Sequence, residues 1–173
     1  MRRALDAARM TGVALLAALV WPLAAGAEGL DGRTVLFNAA SWDDPAAPYL
    51  VSSDYGGVVG EGPEFGMVRE TGNGLGVVPV VIDVSAGRID FTYPKVVEGQ
   101  FAVAVFNGYL LRFPTDCVLI ASAAIDRAVT TMPLKDSDLI LTPQSLSLNV
   151  AGQDYGPETR IGVVLEVMDC PVS

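Results

Sequence analysis

The chain contains no histidine. That removes the commonest general base and the commonest transition-metal ligand together. Lysine is scarce too: Lys95 and Lys135 stand alone, and neither lies in an S-x-x-K string. No G-x-S-x-G elbow occurs, so serine-based nucleophilic hydrolysis lacks both its base and its usual frame. Lysine and arginine together number 11, against 20 aspartates and glutamates. Phosphate recognition needs a basic surface, so this balance argues against a nucleic-acid partner. Cysteine is limited to Cys117 and Cys170. Finally, beyond the N-terminus no segment carries a clean helical face. Residues 121–129 are the one helix candidate, dense in apolar side chains but without a single apolar stripe.

What is present begins with a targeting signal. Arg2, Arg3 and Arg9 form a positive leader, diluted by Asp6. An uncharged apolar run from 10 to 19 follows; Pro22 breaks it, and Ala25-Gly26-Ala27 supplies the small residues of a cleavage site. The run is too short to span a bilayer comfortably, which favours a cleaved signal over a membrane anchor. No cysteine stands at the cleavage point, against a lipoprotein, and nothing around Arg2-Arg3 supports twin-arginine export. Residues 1–27 are therefore expected to be a signal peptide and 28–173 one domain, exported to the periplasm or medium of a Gram-negative bacterium. Cleavage would leave 146 residues with 8 bases and 19 acids, a net charge of −11. A chain of that size buries roughly two thirds of its surface on folding. No second apolar stretch is long enough to cross a membrane.

In an exported protein an even cysteine pair is most simply a disulfide. Cys117–Cys170 would close a loop of 54 residues, worth roughly 4 kcal/mol in the chain-entropy model. A redox or metal pair lacks a C-x-x-C spacing and a third ligand.

Period-two alternation dominates the rest. Val80, Ile82 and Val84 share a face, as do Ile89, Phe91 and Tyr93; residues 145–150 alternate throughout, and Ile161, Val163, Leu165 and Val167 repeat the pattern. Further strands are expected at 34–38, 65–70, 101–106, 109–113, 118–123 and 139–141. Asn73-Gly74, Ala86-Gly87, Asn107-Gly108 and Ala151-Gly152 read as turns between them. Many short strands with frequent turns predict an all-β, antiparallel β-sandwich of jelly-roll type. Residues 41–62, rich in Gly, Pro and Asp, read as loop with one edge strand and as a binding surface. One hairpin can be specified: coincident apolar faces pair Val84 with Ile89, Ile82 with Phe91 and Val80 with Tyr93, leaving a two-residue connection, Ala86-Gly87. Alanine suits a type I′ turn poorly, so a bulge is an alternative there. The same register sets Asp83 opposite Asp90, with Arg88 or a bound cation to neutralise them.

Several strings, in order and rough spacing, resemble the β-sandwich modules of PEP-CTERM-type sorted proteins and related exported bacterial proteins. They are VVGEGPEFG at 58–66, VVIDVSAGRIDFTYP at 81–94, FNGYLLRF at 106–113, AAIDRA at 123–128 and SLSLNVAGQDYG at 145–156. The resemblance covers residues 52–167. It implies a fold and an exported context, and carries no catalytic residues. The chain departs from that pattern in having no C-terminal sorting helix or basic tail, and in its cysteine pair. Both departures predict a free protein fastened by its own disulfide.

The composition suits one cofactor, calcium, which takes hard oxygen ligands. Candidate carboxylate pairs are Asp136 with Asp138, Asp83 with Asp90, and Asp43 with Asp44, although no D-x-D-x-D-G loop occurs. Trp42, Tyr49 and Tyr55 in the Gly/Pro-rich region form a candidate stacking surface, with Trp42 alternatively a core anchor. Two function classes follow. One is a non-catalytic binding or accessory module for a glycan, an envelope component or a protein. The other is a carboxylate-dependent polysaccharide hydrolase, which needs only two acids and would show a concave, acid-lined groove.

Overall fold

A computed structural model of the chain describes residues 29–114 and 118–169. The expected signal segment and both cysteines, Cys117 and Cys170, lie outside the described residues. Among the described residues the regular elements are β-strands and one 3-10 turn at Asp136–Asp138. In chain order the strands are β1 (Thr34–Trp42), β2 (Leu50–Val51), β3 (Tyr55–Val58), β4 (Phe65–Val68), β5 (Thr71–Gly72), β6 (Leu75–Gly76), β7 (Val80–Ser85) and β8 (Arg88–Thr92). They continue with β9 (Gly99–Gln100), β10 (Phe106–Arg112), β11 (Val118–Ile125), β12 (Leu139–Thr142), β13 (Ser145–Asn149), β14 (Asp154–Tyr155) and β15 (Arg160–Asp169).

Two antiparallel sheets carry the fold. One runs β12-β13-β10-β1-β2, with β3 also paired to β1; the other runs β11-β15-β8-β7-β4. Small ribbons β9–β14 and β5–β6 complete it. Alternation decides which side chains face inward. Val35, Phe37 and Ala39 of β1, and Tyr109 and Leu111 of β10, meet Ile82, Ile89, Phe91 and Ile161 of the other sheet in one buried cluster. Rings cross the interface directly: Phe37 lies 5.2 Å from Phe65, and Phe91 stacks on Tyr109 at 5.5 Å. The fold is thus all-β and sandwich-like, as the alternation predicts.

The expected hairpin register is observed: Ile82 faces Phe91, Asp83 faces Asp90, Val84 faces Ile89, and Ser85 faces Arg88 across Ala86-Gly87. Ala86 has no positive φ, so the connection is not a type I′ turn. Asn73-Gly74 does form one, with φ of 53° and 77° at its two central residues.

Four expectations fail for local reasons. Asn107-Gly108 is not a turn; both residues lie inside β10, opposite Ser41 and Ala40. Gly108 is there because its neighbour strand comes too close for a side chain. An added Cβ would overlap the Leu148 carbonyl oxygen and sit 3.0 Å from its carbon. Residues 101–105 are irregular rather than extended, with Phe101 as a buried anchor and Val103 and Val105 exposed. Residues 121–129 hold no helix. Strand β11 runs to Ile125, and Asp126 then turns the chain by accepting Ala128 N–H on its side chain and Thr130 N–H on its carbonyl. Trp42 belongs to β1, not to a loop, and two short strands rather than one pair with β1 in 41–62.

Candidate functional site

The loops at one end of the fold are drawn together by side chains of modest size. Trp42 at the end of β1 faces Phe106 at the start of β10, so the segments before and after them converge. Asn149 knits them: its Oδ1 accepts Asn107 N–H and Ala151 N–H, and its Nδ2 donates to the Val105 carbonyl at 3.0 Å. Asp43 accepts Val105 N–H at 2.9 Å and the Tyr49 hydroxyl at 2.6 Å. The Tyr49 and Val105 bonds hold its carboxyl below the ordinary aspartate range, and the bond to Asp43 pushes the Tyr49 phenol up. Asn73, in the β5–β6 turn, donates to the Tyr49 carbonyl.

Between these loops the sandwich opens. A pocket of about 210 Å³ lies against the inner face of β1 and β10, lined by Ala39, Ser41, Leu50, Val77, Phe101 and Tyr109 among others. A wider groove of about 750 Å³ lies beside it, with Glu98, Thr131, Asp154, Glu158 and Thr159 on its walls. Gln100 and Tyr155 line both. They come from the β9–β14 ribbon, where Asp154 faces Gln100 and Tyr155 faces Gly99. Tyr155 is set by rings behind it, 4.8 Å from Phe101 and 6.4 Å from Tyr93. Among the described residues no basic side chain lines the groove. Among the described residues no hydrogen bond or ion pair engages the carboxylates of Glu98, Asp154 and Glu158.

Behind the pocket two tyrosines are fully enclosed. Tyr93 is 0% and Tyr109 2% exposed, and their two hydroxyls approach each other, short of a well-formed hydrogen bond. Burial pushes both phenols far above their ordinary range, so they remain neutral donors.

The residues singled out from sequence are spread over the molecule. Trp42 stacks on Phe106 at 4.3 Å on the outer face of its sheet, and Tyr49 lies at the loop beside it. Tyr55 is separate: its ring packs near Phe37 and its hydroxyl donates to Glu70 at 2.7 Å. Glu70 also accepts the Ser53 N–H; the Tyr55 hydroxyl first and this N–H second keep its carboxyl below the usual range. The three aromatics do not form one platform.

The acid pairs are mostly committed to protein partners. Arg88 holds Asp90 through two bonds, of 2.6 and 2.7 Å, and reaches Asp126 with a third at 2.6 Å. It crosses β15 over Gly162, where any Cβ would meet the guanidinium and lie 2.6 Å from Val129. Asp83 is thus left without Arg88, and desolvation together with the neighbouring Glu64 and Asp90 charges pushes its carboxyl up. Asp136 accepts Ile125 N–H and faces Arg127; Asp138 accepts Lys135 N–H. Asp44 accepts Ala46 N–H. Among the described residues no group of three or more acidic, cysteine or histidine side chains is placed to hold a metal.

Sequence reasoning missed the groove. Its Asp154-Tyr155 pair stood inside an alternating string that read only as strand and turn. Glu98 and Gln100 stood beside a segment taken for a strand. Fold and site together define an all-β, sandwich-like protein with a cleft at the end where its loops converge. No family model, curated protein or solved structure matches the chain.

Proposed function

We propose that the chain is an exported, non-catalytic binding module that takes its ligand in the cleft at the loop end of the sandwich. The carrying observation is that Tyr155 and Gln100 line a narrower pocket and a wider groove at once. That arrangement offers a ring to stack on and an amide to orient a ligand. Glu64 ties the VVGEGPEFG string to the sandwich. Its carboxylate accepts Gly60 N–H and Val84 N–H, fastening that string to β7. In this reading the winding of the two sheets, β12-β13-β10-β1-β2 and β11-β15-β8-β7-β4, is jelly-roll-like.

Residues 1–27 act as the export signal in this reading, and Cys117 bonds to Cys170. Among the described residues, the β11–β15 ladder sets Val118 opposite Asp169. Cys117 and Cys170 are their immediate neighbours in sequence.

The ligand class is a glycan or other envelope polymer. The acid-walled groove also favours a second reading, a carboxylate-dependent hydrolase working on the same class of polymer. A glycan array on the purified protein tests the first, with Tyr155→Ala expected to abolish any signal. Release of reducing ends from the bound polymer, lost in Glu158→Gln or Asp154→Asn, would establish the second instead.

A further inference from the structure

We propose that Asn73-Gly74 is a site of spontaneous covalent modification: the Asn73 side chain closes on the next backbone nitrogen and deamidates, freeing the β5–β6 turn from the Tyr49 loop. The chain holds two Asn-Gly pairs, at 73–74 and 107–108, and the fold treats them oppositely. Ring closure brings the glycine nitrogen round to eclipse the asparagine Cβ, at a ψ of about −120°, the value at the first central residue of a type II′ turn. The Asn73-Gly74 turn is type I′, with φ of 53° and 77°. Turning over the single peptide between the two residues converts I′ into II′. It leaves φ of Asn73 where it is and moves Gly74 to negative φ, which glycine adopts freely. There is room for that rotation. Asn73 is exposed, a Cβ added at Gly74 meets nothing within 4 Å, and the flanking strands β5 and β6 have 2 residues each. Asn107-Gly108 has no such freedom. The Asn107 carbonyl accepts Val150 N–H at 2.8 Å, and its side-chain amide donates to the Ala102 carbonyl at 2.9 Å. Gly108 is held between β1 and β13, opposite Ala40 and Asn149.

The reaction exchanges ammonia for water. The Gly74 nitrogen bonds to Cγ of Asn73, the Cγ–Nδ2 bond breaks, and ammonia departs, taking through solvent the proton that Gly74 gave up. Water then opens the resulting five-membered imide at either carbonyl, leaving an aspartate or an isoaspartate at position 73. Either product loses the Nδ2 donor to the Tyr49 carbonyl, 3.1 Å away, and sets a carboxylate in its place. The isoaspartate also lengthens the connection by one backbone atom, which the register of Thr71 opposite Gly76 and Gly72 opposite Leu75 cannot absorb. Leu75, Gly76 and Val77 line the pocket beside Leu50, so freeing the turn shifts one of its walls. This holds whether or not the pocket takes a ligand.

The test is to age the purified protein in warm, weakly alkaline buffer and follow it by tryptic peptide mass mapping. Cleavage after Arg69, Arg88, Lys95 and Arg112 puts the two pairs in separate peptides, 70–88 and 96–112. A mass gain of about 1 Da, located by fragmentation, marks the modified residue. In the folded protein it is expected at Asn73 and to accumulate there at least about tenfold faster than at Asn107, whose reaction waits on unfolding of the sheet. In protein held unfolded in guanidinium chloride the two should react at similar rates. Backbone amide shifts of Tyr49, Leu75 and Val77 should move in the aged protein, and Asn73→Asp should reproduce part of that change in fresh protein. An unmodified Asn73 in folded protein, under conditions where the unfolded chain reacts, would overturn the proposal. Equal reaction at Asn73 and Asn107 in the folded state would overturn the fold's choice between them. Modification with unmoved amides at Tyr49, Leu75 and Val77 would overturn its effect on the pocket wall.

Discussion

Gly108 offers the sharpest test of how the sheets are built. It lies inside β10, opposite Asn149 of β13, at a place where a methyl group has no room. The obstacle is backbone: the Leu148 carbonyl oxygen, its carbon at 3.0 Å and Asn149 Cα at 3.2 Å. Neither can rotate aside as a side chain would. Gly108→Ala must therefore part β10 from β13 locally. Overpacking of this kind costs about 1–3 kcal/mol. Weakened ladder bonds such as Val150 N–H to the Asn107 carbonyl, 2.8 Å, add about 1 kcal/mol each. A total of about 3 kcal/mol follows, or about 10 °C in melting temperature for a domain this size. Gly66→Ala is the control, since nothing lies within 4 Å of its added Cβ; it should be neutral or slightly stabilising. Urea unfolding of both variants reads the difference. Equal stability of Gly108→Ala and the parent protein would refute the close approach and the register behind it.

Other outcomes follow from the same structure. Asp83→Asn should raise the melting temperature at neutral pH. The folded-state carboxyl is pushed up, so its ionised form is a cost that protonation relieves; the gain should vanish as pH falls through the carboxylate range. A gain that persists at low pH would point to packing instead. Asp43, Glu70 and Asp126 have the opposite sign. Each is held down by hydrogen bonds to Tyr49, Tyr55 and Arg88 respectively, so their contribution is present above the ordinary carboxylate range and is lost below it. Intact mass should rise by two hydrogens on reduction if Cys117 and Cys170 are bridged, whereas two free thiols in native protein would exclude the bond. Calcium should leave the melting temperature unchanged, because Asp90, Asp136 and Asp138 already have protein partners. A calcium-dependent rise abolished by Asp83→Asn would contradict that.

The fold was legible wherever alternation ran unbroken. Val80 to Tyr93 yielded its register, and even the opposition of Asp83 to Asp90, because one buried face permits only one pairing. Asn73-Gly74 was legible because its turn is local. Asn107-Gly108 has the same letters and a different fate. Its conformation is set by a strand some forty residues away in the chain, roughly the separation of non-local pairing that short-range propensity does not see. Arg88 was placed correctly on the outer face, but its choice of Asp126 over Asp83 depends on Gly162 clearing its path. The cleft was the least legible part. Glu98, Gln100, Asp154 and Tyr155 meet only because two short strands pair across more than fifty residues of chain.

The central claim is that ligand enters between β9–β14 and the pocket behind it. Backbone amide shifts recorded by nuclear magnetic resonance, while a glycan identified on the array is titrated in, test this directly. The largest changes are expected at Gln100, Tyr155, Gly156 and Thr159, with Tyr109 following as the pocket fills. Changes confined to Trp42, Val51 and Phe106 on the outer face, with the cleft silent, would contradict the account.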